Sequence, residues 1–268
     1  MSVKIHPTAV IGEDVQLGED VEIGPYCVVE DHVRIGDGSH LISQCHVASY
    51  TTMGKRNVLY PFAAIGTDPE DYAYDPVQGP SFTRIGDDNK FREGVTVNRG
   101  THAGTETVIG SGCFMMCNTH VAHNCVLGDN VILVLGSGLG GYCEVGDRAL
   151  ISGVSAVHQF CRVGRLAVLS GGSAISVDLP PFMIGDGRNG GVRGFNIVGM
   201  RRCGFSRETI RTIKDLYDIF FRHGLNMTNA IAKAQAELPQ IPEVLEFIKF
   251  VQDSKRGVLS GDHHGKRS

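Results

Sequence analysis

The chain has 268 residues, a formal net charge of −4, 42% hydrophobic and 20% charged residues. That balance excludes a disordered chain and supplies no overall basic field for nucleic acid. Gly 35, aromatics at 7% and no tryptophan point to many tight corners with little room for bulky rings. No stretch reaches the ~18 consecutive apolar residues of a membrane span. Lys4, His6 and Pro7 at the start do not make a basic-then-apolar leader, so no signal segment is expected.

From Ile5 every sixth residue is aliphatic or methionine: Ile5, Ile11, Leu17, Ile23, Val29, Ile35, Leu41, Val47, Met53, Leu59 and Ile65. The fifth places are mostly small or β-branched, as in Ala9, Val15, Val21, Cys27 and Val33. A period of six matches neither a helix stripe at 3.6 nor an alternating strand at 2. Three hexads make an eighteen-residue triangular coil, and stacked coils bury an aliphatic column as a solenoid. Parallel crossovers are right-handed in ~98% of sheets, but hexad coils are the exception. The expected fold is therefore a left-handed parallel β-helix over residues 1–184.

The pattern breaks at Thr67–Arg84, rich in Asp, Pro and Tyr. This segment should loop outward as a binding element. The period resumes at Ile85, Phe91 and Val97 and weakens over Thr101–Thr107 around Gly104. It then holds at twelve consecutive places from Ile109 to Ile175. Within that run, Val121–Val126 carries His123 among packing residues, which makes it a candidate for chemistry on the prism surface. Of the eight cysteines, Cys27, Cys45, Cys125, Cys143 and Cys161 fall at fifth places. They read as small, reduced core residues, which implies the cytosol.

Asp178-Leu-Pro-Pro181 ends the repeats, because proline cannot donate to a strand ladder. A glycine-rich link at Gly185–Gly194 leads into an α-helical domain over 185–254. Ser206 should cap a helix to about His223, with Ile210, Ile213, Leu216, Tyr217 and Phe220 on one face. Thr228 opens a second helix to about Leu238, and Pro242 a third ending near Asp253. Residues 255–268, with His263 and His264, are expected to be a disordered tail.

Four segments carry a resemblance: Thr-His-Val-Ala-His-Asn-Cys at 119–125, Ala-Val-His-Gln-Phe at 156–160, Asp-Leu-Pro-Pro at 178–181 and Gly-Phe-Ser-Arg at 204–207. With the hexad prism and the helical end, they resemble the UDP-N-acetylglucosamine acyltransferase family over essentially the whole chain. The resemblance implies a homotrimer with active sites in clefts between neighbouring prisms. It implies transfer of an R-3-hydroxyacyl chain from acyl carrier protein to the sugar 3-hydroxyl, the first step of lipid A synthesis. The donor rides on the carrier's phosphopantetheine, with no other cofactor and no metal.

By the same resemblance His123 is the general base, and the Gly141 N–H meets the oxyanion. His120 contacts substrate, His158 and Gln159 contact donor and sugar, and Asp71 is a sugar ligand. Asn196 and Arg202 lie near the nucleotide and donor phosphates. Gly171 sets acyl length, and glycine there leaves room for a long chain.

The chain departs from the family pattern at five places. Asn124 replaces an aspartate that orients the imidazole, so it offers a neutral oxygen in place of a charge. Tyr142, counted here among the substrate-binding residues, replaces a histidine. Ala73 replaces a lysine, Val198 a glutamate and Cys203 an arginine. These changes keep two alternatives open: an acyltransferase acting on another nucleotide sugar, such as a 3-amino one, and a non-catalytic trimeric scaffold that binds acyl carrier protein. A zinc site at His120, His123 and His158 finds no cysteine or carboxylate to complete it.

Overall fold

The computed structural model describes residues 2–188 and 191–261. Its strands are two to five residues long and fall into three sheets, the faces of a prism. Parallel partners recur eighteen residues apart: Lys4 with Glu22, His120 with Gly138, Gly138 with Ala156 and Ala156 with Ala174. This is the β-helix that the sixfold period predicts. The first-place residues point inward and stack: Val97, Val121, Leu139, Val157 and Ile175 are all at most 4% exposed. Burying each such side chain contributes roughly 1.5–3 kcal/mol. The fifth-place cysteines Cys27, Cys45, Cys125, Cys143 and Cys161 are buried and unbridged, as is Cys113, which also falls at a fifth place.

From Asp20 onward most hexads turn through one residue with positive φ. Asn118, Asn124, Tyr142, Arg148, Val154, Phe160 and Leu166 all adopt φ between +54° and +65°. For non-glycine residues this conformation costs roughly 1–2 kcal/mol. It persists because the residues on either side are locked into the core.

Two coils are longer than eighteen residues. Val58 pairs with Lys90, and Lys90 with Phe114. Buried Asn57 and Asn89 bridge the first change of spacing: Asn89 Nδ2 donates to Asn57 Oδ1 at 3.0 Å. The longer coil carries the outward loop. Its ends, Ala64–Thr67 and Phe82–Ile85, are strand, so the loop proper is 68–81. The second insertion corrects the sequence reading. Residues 99–105 form no strand; they loop between Thr96–Asn98 and Glu106–Ile109. The inward place falls on Ala103, which is exposed and too small to anchor a coil.

Past Ile175 the first face continues through Met183–Asp186, which pairs antiparallel with Gly191–Phe195. The glycine-rich link is thus partly a strand pair. Four α-helices follow among the described residues. Helix α1 (Ile197–Arg202) was not expected, and Asn196 caps it. Helix α2 (Arg207–Phe221) has the expected Ser206 cap. Helix α3 (Met227–Glu237) starts one residue before Thr228, because Asn226 Oδ1 accepts the Asn229 N–H at 2.9 Å. Helix α4 (Pro242–Gln252) begins at Pro242. Arg165 ties the prism to α4 through Glu246 at 2.7 Å.

Residues 255–261 are ordered, contrary to the expected tail. Leu259 is 3% exposed, its N–H donates to Asp178 O at 2.8 Å, and Ser260–Gly261 pairs with Gly191–Val192. An apolar side chain with a pocket to fill outweighs the polarity of its neighbours. His263 and His264 lie outside the described residues.

Candidate active site

The eighteen-residue coil turns sequence spacing into columns. His123, Gly141 and Gln159 share one corner position in successive coils. Asn124, Tyr142 and Phe160 share the next, and Ala122, Gly140 and His158 the one before. A groove runs along this corner, lined among others by Glu70, His120, His123, Gly141, His158 and Gln159. Gly138, Gly140 and Gly141 hollow it out. A Cβ on Gly141 would lie 2.5 Å from His123 Cε1 and 2.6 Å from Nε2, so the imidazole occupies space that only glycine leaves.

His123 follows the His120–Val121 strand and is 7% exposed. Its Nδ1 lies 2.6 Å from Thr101 Oγ1 and 3.0 Å from Asn124 Oδ1. The Asn124 oxygen also accepts the Thr101 N–H at 3.0 Å. On the other side of the ring, Nε2 is 3.8 Å from Asp71 Oδ2, beyond a direct hydrogen bond. Tyr142 meets the imidazole edge-on, with centroids 5.3 Å apart at 88°. Tyr142 is itself stacked on Phe160 at 4.9 Å. The Gly141 N–H has no hydrogen-bond partner among the described residues.

His120 Nδ1 is 2.8 Å from Thr96 Oγ1. Burial lowers its pKa against a smaller upward pull from Glu70, and the nearby His123 adds a still smaller push downward. Asp71 reaches the site from the outward loop, where its Oδ1 accepts the Ala73 N–H at 2.9 Å. His158 and Gln159 are exposed at the mouth, with His158 Nδ1 3.1 Å from Gln159 O. The structure therefore brings together Asp71, His120, His123, Asn124, Gly141, Tyr142, His158 and Gln159.

It does not bring Asn196, Arg202 or Gly171 into the same groove. Asn196 is committed as a helix cap: its Oδ1 accepts the Gly199 N–H at 2.8 Å and its Nδ2 donates to Leu166 O at 2.8 Å. Arg202 and Val198 are exposed on α1, with Cys203 just beyond it. Gly171 lies at a different corner, between two and three coils beyond His123, roughly 13 Å along the axis at a ~4.8 Å strand spacing. A Cβ there would meet Gly153 O at 3.6 Å, an ordinary contact, so the position has room.

Thr101 is the residue that sequence reasoning passed over. Its signal was present in the weakened hexad, a break in the period close in sequence to His123. Among the described residues no group of three His, Cys, Asp or Glu could hold a metal ion. Among the same residues no helix is long and apolar enough to cross a membrane.

The chain is similar to known proteins over nearly its full length. Residues 178–259 match the family model described as UDP N-acetylglucosamine O-acyltransferase, domain 2. Residues 2–31 match the bacterial transferase hexapeptide model. A relative named acyl-[acyl-carrier-protein]–UDP-N-acetylglucosamine O-acyltransferase, from Thermodesulfovibrio yellowstonii, is 40% identical over 95% of this chain and 98% of its own. Its counterpart of the same name from Syntrophobacter fumaroxidans is 40% identical over 96% of this chain and 100% of its own. Among solved structures, the UDP-N-acetylglucosamine acyltransferase of Bacteroides fragilis superposes with a TM-score of 0.91 at 36% identity. It covers 95% of this chain and 99% of that one. The Francisella novicida enzyme gives 0.92 at 33% identity, over 97% and 95%.

Proposed function

The chain belongs to the UDP-N-acetylglucosamine O-acyltransferase family, and from that premise we propose that it moves an R-3-hydroxyacyl chain from acyl carrier protein to the 3-hydroxyl of UDP-N-acetylglucosamine. The observation that carries the mechanism is the buried His123, held at Nδ1 by two oxygens with Nε2 turned to Asp71 and the groove.

In this reading Nε2 takes the sugar hydroxyl proton as that oxygen attacks the thioester carbonyl. Such a base contributes ~10²–10⁴-fold. The negative charge that forms on the carbonyl oxygen is met by the Gly141 N–H. The intermediate collapses, the C–S bond breaks, and His123 returns the proton to the pantetheine sulfur. Asp71 supplies the only carboxylate beside Nε2 among the described residues and steadies the imidazolium between these steps. His120, whose charged form burial disfavours, binds the sugar, and His158 with Gln159 holds the donor arm and sugar. Gly171 leaves space for the end of a long acyl chain.

Asn196 and Arg202 lie away from their own chain's groove. That separation supports a homotrimeric working unit, in which α1 of one protomer faces the groove of its neighbour and Arg202 meets phosphate there. Unbridged cysteines throughout the prism favour the reducing cytoplasm.

A second reading, with a 3-amino sugar as acceptor, draws on Asn124. A free amine attacks before it loses a proton and so asks less of a base whose Nδ1 partners are neutral. Both readings are tested by mixing the protein with hydroxyacyl–acyl carrier protein and either UDP-N-acetylglucosamine or its 3-amino analogue, then reading acylated product by mass spectrometry. Product from the hydroxyl acceptor supports the first reading. Product from the amine alone replaces it with the second. No product from either, with the carrier still bound, leaves a scaffold and defeats both.

A further inference from the structure

Thr101 stands out because it meets the reactive histidine from an element that the repeat does not require. It lies in the 99–105 loop, which is tied down on several sides. Arg99 Nε donates to Gly66 O at 2.9 Å, the Gly104 N–H donates to Pro80 O at 2.9 Å, and the His102 N–H donates to Thr105 Oγ1 at 3.1 Å. Thr101 itself is 3% exposed. One residue thus presents two groups to the corner: its hydroxyl to His123 Nδ1 at 2.6 Å and its N–H to Asn124 Oδ1 at 3.0 Å.

The Thr101 hydroxyl can donate or accept and so suits either tautomer; the Asn124 contact is the one that distinguishes them. An N–H can be received only by the amide oxygen of Asn124, so that oxygen, and not the amide nitrogen, faces the loop and the ring. The same oxygen is 3.0 Å from Nδ1 and cannot donate. A hydrogen bond between them therefore requires the proton on Nδ1. Nε2 is then left with its lone pair toward Asp71 and the groove. We infer that Thr101 is a positioning residue: its hydroxyl and its N–H, acting through Asn124, lock His123 in the Nδ1–H tautomer, doing with two neutral oxygens what a carboxylate would do with charge. The catalytic consequence rests on His123 being the base, but the tautomer does not.

The test compares Thr101→Val, Thr101→Ser and Asn124→Asp by two readouts. The first is the pair of ring ¹⁵N shifts of His123 at pH 8, assigned by their loss in His123→Gln. The wild type should show a protonated Nδ1 and a bare Nε2. Thr101→Val should move both shifts toward a tautomer mixture and Thr101→Ser should restore them. The second is acyl transfer. Thr101→Val should lower kcat about tenfold or more with KM little changed, since a small misplacement of a reacting group has effects of that order. Thr101→Ser should recover most of it. Asn124→Asp should move the acidic limb of the kcat profile up by about one pH unit or more, because a carboxylate favours the charged ring.

Wild-type shifts reporting Nε2–H, or Thr101→Val shifts identical to wild type, would overturn the inference. So would a Thr101→Val loss that tracks a lower melting temperature and is not recovered by serine. If no acyl transfer is found with any acceptor, the ¹⁵N shifts still decide the tautomer, so the two readings fail separately.

Discussion

Gly141→Ala isolates the geometry of the site from the stability of the prism. Gly141 has no positive φ, so alanine meets no backbone penalty. Its Cβ, however, would sit 2.5 Å from His123 Cε1 and 2.6 Å from Nε2, where ordinary contacts between carbon atoms are ~3.5–4.0 Å. Something must move by about 1 Å. The Gly141 backbone is fixed on both sides, with its oxygen accepting the Phe160 N–H at 2.9 Å and the neighbouring Tyr142 N–H bonded to His123 O at 3.0 Å. The ring gives way instead and leaves Thr101 and Asn124. A misplacement of this size lowers turnover by about 10²-fold. Stability changes far less. Losing two hydrogen bonds removes about 2 kcal/mol, and the reduced freedom of the unfolded chain returns about 0.4–1 kcal/mol. Initial rates with hydroxyacyl–acyl carrier protein, read beside urea unfolding, separate the two effects. A Gly141→Ala enzyme with kcat within threefold of wild type would refute the packing of the imidazole against this glycine.

Three further outcomes follow from the same structure. Asp71→Ala should lower kcat by about 10-fold or more, through loss of the carboxylate near Nε2, while leaving the urea midpoint unchanged; a parallel loss of stability would place Asp71 in the fold and not in the site. Leu133→Ala, deleting a fully buried core residue, should destabilise the prism by about 2–5 kcal/mol, and a loss under 1 kcal/mol would contradict the stacked-column core. Acid should weaken the fold in two stages. His120 titrates below its ordinary value of 6.5 in the folded state, so its contribution is complete above about 6.5 and is lost as pH falls below that. Asp186, 1% exposed and held down to about 2 by Arg188 and Arg193, contributes above 3.8 and loses that contribution between 3.8 and about 2. Urea midpoints from pH 8 to pH 5 should fall less steeply in His120→Gln than in wild type, and equal slopes would count against the burial of that ring.

The prism was readable because its periodicity and its packing are the same fact. An aliphatic residue at every sixth place must point inward, and the eighteen-residue coil then fixes which corners stack. That rule places His123 under Gly141 and Asn124 under Tyr142 without any contact map. What the repeat could not convey lies where the repeat is suspended. The 68–81 loop was visible as a break, but its delivery of Asp71 to within 3.8 Å of His123 depends on how the loop folds back. The 99–105 segment was harder still. Thr101 and Thr107 fit the spacing loosely, and only the failure of Ala103 to supply an inward aliphatic reveals an insertion. At the C-terminus, polarity concealed Leu259 because one buried side chain decides the path of residues 255–261. Asn196 looked like a ligand, and its cap bonds to Gly199 and Leu166 show the work it does within its own chain.

The central claim is that His123 activates the acceptor for acyl transfer. Its most direct test is the turnover of hydroxyacyl–acyl carrier protein and UDP-N-acetylglucosamine by His123→Ala, measured with the wild type at the same enzyme concentration and with circular dichroism to verify the fold. The account predicts a fall of about 10²–10⁴-fold in a protein that keeps its β-helix. A His123→Ala enzyme that is folded and turns over within tenfold of wild type would contradict it.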